Sequence, residues 1–141
     1  MLTALILLPA AGALVIALVP GRRRELFLPL GVAVSMAPLA LAAYVFISFT
    51  AGEPGFQLVQ REVWYAPWGL SWYLGIDGIS LPLVALTALL VPIVLAASTA
   101  ISHRLKEFVM YTLLLEAGLI GVFLALDLFL FFVFFEAILI P

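Results

Sequence analysis

Cysteine is absent from the 141 residues, so they hold no disulfide framework, thiolate metal site or cysteine nucleophile. Histidine occurs once, at His103, which is too few for a histidine metal cluster. Beside Arg104, Lys106 and Glu107, it is expected to be a solvated loop residue rather than a catalytic one. Charge is scarce too: 10% of residues are charged and 67% hydrophobic, whereas soluble domains carry about 25% charged and about 45–50% apolar residues. Six basic and eight acidic side chains cannot cover a soluble core. No Gly-rich phosphate loop or basic stripe is present, and a formal charge of −2 gives no reason to expect a nucleic-acid partner. There is no internal repeat and no low-complexity linker. Soluble enzyme chemistry is thereby excluded, and the lipid bilayer is the expected surrounding.

What the sequence has is long apolar runs. They predict an all-α, polytopic transmembrane helix bundle forming one membrane domain over residues 1–141. Helices are expected at about 2–19, 26–49, 81–102, 108–126 and 128–141. Eighteen residues rise about 27 Å, just enough for the first to span. It lacks the positive n-region of a secretory signal, and Arg22, Arg23 and Arg24 follow the apolar run, which suits a retained helix. Pro20-Gly21 ends it. Pro29 and Pro82 fall in first turns, where a missing N–H costs little. Pro9, Pro38 and Pro92 lie deeper and predict kinks that membrane helices accommodate. Ser80 is expected to cap the third helix and Asp127 the fifth. The fifth run, Leu128–Pro141, is too short to cross and is expected to be an incomplete span, the chain being the front part of a longer protein.

The 50–80 segment is the outer loop. It holds all three tryptophans (Trp64, Trp68, Trp72) with Tyr65 and Tyr73. Loose alternation over 56–65 and a turn at Ala66-Pro67-Trp68-Gly69 suit a short hairpin on the membrane. Its aromatics suit a belt at the headgroup level. Arg22–Arg24 and His103–Lys106 occupy one side and only Arg61 the other. The positive-inside rule therefore places those two loops in the cytoplasm and the N-terminus outside.

Two carboxylates, Glu116 and Glu136, sit inside apolar helices. A charge near the middle of a span costs at least about 2.5–3.5 kcal/mol, so each needs a use or a partner. In an antiparallel pair they would differ in depth by about 3 Å. Low dielectric and a second carboxylate both disfavour a carboxylate anion, and a nearby lysine favours it. Proton affinity that neighbours can shift is what a relay requires, and intramembrane acids commonly serve as one. Neither helix contains Lys, Arg or His, so a cationic partner for either would come from elsewhere. The bland alternative is a protonated Glu bonded between helices.

Gly75-Ile76-Asp77-Gly78-Ile79-Ser80-Leu81, the run from Gly121 to Glu136 (GVFLALDLFLFFVFFE) and Leu139-Ile140-Pro141 resemble the M-type, antiporter-like membrane subunits of NADH–quinone oxidoreductase, respiratory complex I. The specific motifs cover mainly 75–81 and 111–141. The first is shared with sister antiporter-like subunits and with Mrp-type sodium/proton antiporters. The resemblance implies a subunit of about fourteen helices with inverted five-helix repeats and a chain of buried charges. Glu136 matches the fifth-helix glutamate that pairs with a lysine two helices later and takes part in proton translocation. Glu116 rests on the local argument alone. Also implied are partners among the other membrane subunits of the complex, above all the sister antiporter-like ones, and a bacterial inner membrane. NADH, FMN, iron–sulfur clusters and quinone are expected on other subunits, with no cofactor or redox site in this chain. The chain stops before the family's broken helices and central lysines, so alone it is not expected to pump. Competing expectations are a subunit of an Mrp-type cation/proton antiporter or membrane-bound hydrogenase, a small proton-coupled exporter, and a non-transporting membrane anchor.

Overall fold

The computed structural model describes residues 1–101 and 103–141, and of Trp68 the backbone alone. Five helices run in order: α1 (Leu2–Leu18), α2 (Phe27–Ser48), α3 (Ser80–Ala97), α4 (Leu105–Leu124) and α5 (Leu128–Ala137). Between α2 and α3 lie two strands, β1 (Gln57–Tyr65) and β2 (Leu70–Ile76). The fold is thus helical with one small antiparallel hairpin. Three segments are long and apolar enough to cross a membrane: Arg24–Ser48, Ser80–Ala100 and Leu105–Leu124. α1 and α5 are apolar but shorter.

α1 packs most extensively on α4, and α2 on α3. Lipid tails are as apolar as leucine, so close van der Waals packing, rather than expulsion from water, holds such helices together. Glycines make that approach available. A Cβ on Gly12 of α1 would collide with Val34 of α2, and one on Gly31 of α2 would stand 2.5 Å from Val109 of α4. Two apolar clusters result. One gathers Leu5, Val45, Ile76, Val84, Ile120 and Leu124 toward the hairpin end. The other gathers Ile16, Phe27, Leu95, Val109 and Leu113 toward the opposite end, the loop end.

The hairpin turns through a 3-10 segment, Ala66–Trp68, and Gly69 at φ 67°, a left-handed conformation that glycine adopts without a Cβ penalty. Hydrogen bonds then tie the hairpin to the bundle. The Trp72 indole Nε1 donates to Thr3 Oγ1 at 2.9 Å, and the Thr3 backbone N–H donates to Gln60 Oε1 at 3.0 Å. On the far side of β2, the Leu126 N–H donates to the Tyr73 carbonyl at 2.8 Å, and Leu74 bridges to Ala125. The α4–α5 connection is therefore laid against the hairpin through one isolated antiparallel bridge.

Several boundaries differ from the sequence expectation. α4 opens at Leu105 rather than Phe108, taking Lys106 into its first turn. From there the Lys106 ammonium donates to the carbonyls of Ala17 and Val19, at 2.7 and 2.8 Å, and closes the C-terminus of α1. The regular part of α5 ends at Ala137. At α3, Asp77 rather than Ser80 supplies the cap. Its Oδ1 accepts from the Ile79 and Ser80 N–H groups, and Ser80 Oγ accepts in return from the Asp77 N–H. This is the reciprocal logic of a capping box. Ser102, the expected end of the third helix, lies outside the described residues.

Asp127 caps α5 by accepting from Phe129 and Leu130 at 2.9 and 3.1 Å, and Ser71 Oγ donates to its second oxygen. Its carboxyl is held below the ordinary value of 3.8, chiefly by the Leu130 N–H; Asp77 is lowered likewise, chiefly by the Ser80 N–H. A lowered native pKa stabilises the fold above the ordinary value, and that contribution is lost as pH falls through the lowered one. Asp127→Ala is expected to cost about 0.5–2 kcal/mol, the usual worth of a cap. In detergent, the stability difference from wild type should shrink as pH falls through the lowered pKa of this carboxyl, below which both proteins are neutral at this position. A difference independent of pH would argue against the cap.

Candidate functional site

The α4–α5 seam positions both membrane carboxylates. Gly118 and Gly121 of α4 face α5, and Cβ atoms there would stand 2.5 Å from Ile138 and from the Phe134 ring. Phe134 therefore lies flat on a glycine surface, with Trp72 of the hairpin edge-on to it at 5.9 Å between ring centroids. These contacts fix the rotation of α5. Phe134 points to α4, and Glu136, two residues on and about 200° around the helix, points away and is exposed.

Glu116 has the opposite environment. It lies on the stripe Leu113, Glu116, Ala117 and Ile120 of α4, fully buried between the two apolar clusters. Neither carboxyl oxygen has a hydrogen-bond partner among the described residues. The other buried polar residues all have partners: Ser35 and Thr87 donate to backbone carbonyls of their own helices, at Val32 and Leu83, and Ser71 donates to Asp127. Depth matches closely. Glu116 is eight residues before the end of α4 and Glu136 eight after the start of α5, which places each about 12 Å below the Asp127 turn. The structure thus brings the two to one level but not face to face: one points into the bundle, the other out of it.

A cavity of about 330 Å³ opens between α1, α4 and α5, bounded by Ile6, Ala10, Trp72, Ala117, Gly118 and Phe134. It is apolar apart from the indole, whose N–H is already bonded to Thr3. Among the described residues no group of three or more His, Asp or Glu side chains could hold a metal. His103 is exposed at the loop end. Among the described residues, Glu116 and Glu136 are the carboxyls that α4 and α5 place at this depth.

Sequence reasoning missed the ties that set this geometry: Thr3–Gln60–Trp72, Ser71–Asp127 and Lys106 on α1. One signal was available. A tryptophan buried on one side normally finds an acceptor for its N–H, and Thr3 is the one hydroxyl in the first helix.

Comparison with known proteins bears on this geometry. Residues 26–133 match the family model described as NADH-ubiquinone oxidoreductase chain 4, amino terminus. The chain is 36% identical over 99% of its length to NAD(P)H-quinone oxidoreductase chain 4 2 of Trichodesmium erythraeum, covering 25% of that protein. It is 37% identical over the same share to NADH-ubiquinone oxidoreductase chain 4 of Arabidopsis thaliana, covering 28% of it. Over 93 residues, 66% of this chain and 18% of the relative, it is 47% identical to NADH-quinone oxidoreductase subunit M of Rhodobacter capsulatus. The chain spans about a quarter of the length of the curated relatives that it matches end to end. With a family model covering most of its residues, the chain belongs to the NADH-ubiquinone oxidoreductase chain 4 family and corresponds to its amino-terminal part.

Proposed function

We propose that this chain forms the first helices of a proton-translocating, M-type membrane subunit, in which Glu136 and Glu116 carry protons. Redox chemistry, with NADH, FMN, iron–sulfur clusters and quinone, takes place on other subunits of the same complex. The observation that carries this reading is the pair of membrane carboxyls at one depth on the two helices of the α4–α5 seam. Glu136 is exposed on the side of α5 turned away from the bundle. That is where a partner helix, from the remainder of a longer polypeptide or from a neighbouring subunit, would bring a cation to it. Glu116 is enclosed, so it exchanges its proton only when a path opens through the bundle. A buried ionised carboxyl with no partner is costly; a proton arriving there removes the charge, and a proton leaving restores the cost. Displacing a cation from Glu136 and releasing a proton from Glu116 are therefore energetically linked through α4 and α5.

The two basic loops are assigned to the cytoplasm, and the N-terminus, hairpin and Asp127 turn to the opposite side of a bacterial inner membrane. The basic residues at the loop end support that orientation. Partners are other membrane subunits of complex I, sister antiporter-like subunits first.

Glu136→Gln in the full-length, assembled complex is expected to lower NADH-driven proton uptake by membrane vesicles on the order of 10²-fold. Wild-type uptake in an assembled variant would overturn the role of Glu136. Glu116→Gln keeps the shape and removes the titratable proton, so it is expected to slow translocation while leaving assembly intact. Equal uptake in this variant and wild type would reduce Glu116 to a packing residue. A further variant tests the seam: Gly121→Val pushes a side chain into Phe134 and should destabilise the protein by about 1–3 kcal/mol, the usual cost of overpacking. An unchanged unfolding midpoint would mean that α5 is not seated on α4 as described.

A further inference from the structure

We propose that the basic cleft at the loop end of the bundle binds the phosphodiester headgroup of an anionic phospholipid. The cleft, of about 210 Å³, is lined by Arg24, His103, Arg104 and Lys106, with Phe27 and Leu105 on its apolar side. It lies where the end of α1, the start of α2 and the start of α4 converge.

Charge is sorted sharply between this end and the rest of the chain. The loop end carries Arg22, Arg23, Arg24, Arg104 and Lys106 against only Glu25 and Glu107, in a protein whose overall charge is −2. Of its two acids, Glu107 is paired with Arg104. Lys106 is anchored on the neutral carbonyls of Ala17 and Val19, so its charge is fixed in place without being cancelled by a carboxylate. Arg24 has no ion pair among the described residues. The N-termini of α2 and α4 both open toward the cleft, and helix N-termini favour anions. The cleft thus combines oriented cations with two positive helix ends.

Its depth selects the source of the anion. The cleft stands at the ends of helices that span the apolar layer, where headgroups lie. α1, whose C-terminal carbonyls Lys106 holds, presents Leu18 at 84% exposed and Leu14 at 66% one turn further down. A lipid phosphate seated among Arg24, Arg104 and Lys106 would lay its acyl chains along that apolar strip. Basic clefts between helix ends are suited to this ligand, whereas free phosphate would use only the cations.

The test is lipid retention by the protein reconstituted in nanodiscs of phosphatidylcholine mixed with phosphatidylglycerol, read by native mass spectrometry after extraction. Wild type is expected to retain phosphatidylglycerol over phosphatidylcholine. Arg24→Gln/Arg104→Gln should lower that preference by about tenfold or more, in keeping with the attraction of two basic side chains near an anionic surface. Arg61→Gln, at the hairpin end, should leave it unchanged. Arg24→Lys/Arg104→Lys keeps the charges and should keep most of the preference, which separates loss of binding from loss of fold. Equal retention of the two lipids by wild type, or an unchanged preference in the Gln pair, would overturn the proposal. Displacement of phosphatidylglycerol by millimolar inorganic phosphate would overturn the lipid assignment and make the cleft a site for a free anion.

Discussion

The Asp127 turn is the constraint on which the rest of the site depends. Three residues separate α4 from α5, and each is tied to the hairpin or to α5. Ala125 bridges to Leu74, the Leu126 N–H bonds to Tyr73, and the Asp127 carboxylate holds the Phe129 and Leu130 N–H groups together with the Ser71 hydroxyl. A backbone turn at the edge of an apolar layer is tolerated only when its donors and acceptors are satisfied within the protein. The hairpin provides that satisfaction. With the turn fixed, the depth of every residue on α5 follows, and Phe134 against Gly121 fixes the rotation. The position of Glu136 is thus decided by residues about two turns of helix away from it.

The two carboxyls differ in what surrounds them rather than in depth. Glu116 is enclosed on all sides by side chains of the bundle, with no partner for either oxygen among the described residues. Glu136 stands on an aromatic, exposed face beside Phe132 and Phe135. The two carboxyls thus occupy opposite surroundings, one inside the bundle and one on its outer face, on adjacent antiparallel helices.

Much of the helical architecture was legible because apolar runs between basic or Pro-Gly punctuation are a strong signal in a chain with so little charge. Asp127 was legible as a cap because an isolated acid between two apolar runs has few other uses. The cap of α3 falls on Asp77 rather than Ser80 for a physical reason: both are good capping residues, and only the hydrogen bonds decide that Asp77 accepts from the Ile79 and Ser80 N–H groups while Ser80 Oγ accepts from the Asp77 N–H. The start of α4 was set too late because Lys106 and Glu107 look like a polar loop; their place in a helix depends on the carbonyls of α1, 87 and 89 residues earlier in the chain. The facing of Glu116 and Glu136 was not legible at all. Helix rotation here is set by Gly118 and Gly121 against Ile138 and Phe134, and periodicity is uninformative when a helix is apolar all round.

The bond from Lys106 to α1 also imposes a timetable. During synthesis α1 precedes α4, and its last carbonyls meet Lys106 only after the chain has been extended through the hairpin and α3. Only then does Lys106 arrive to close them, and with it comes α4, the largest contact surface of α1. The seating of the first helix in this bundle is therefore completed by the fourth.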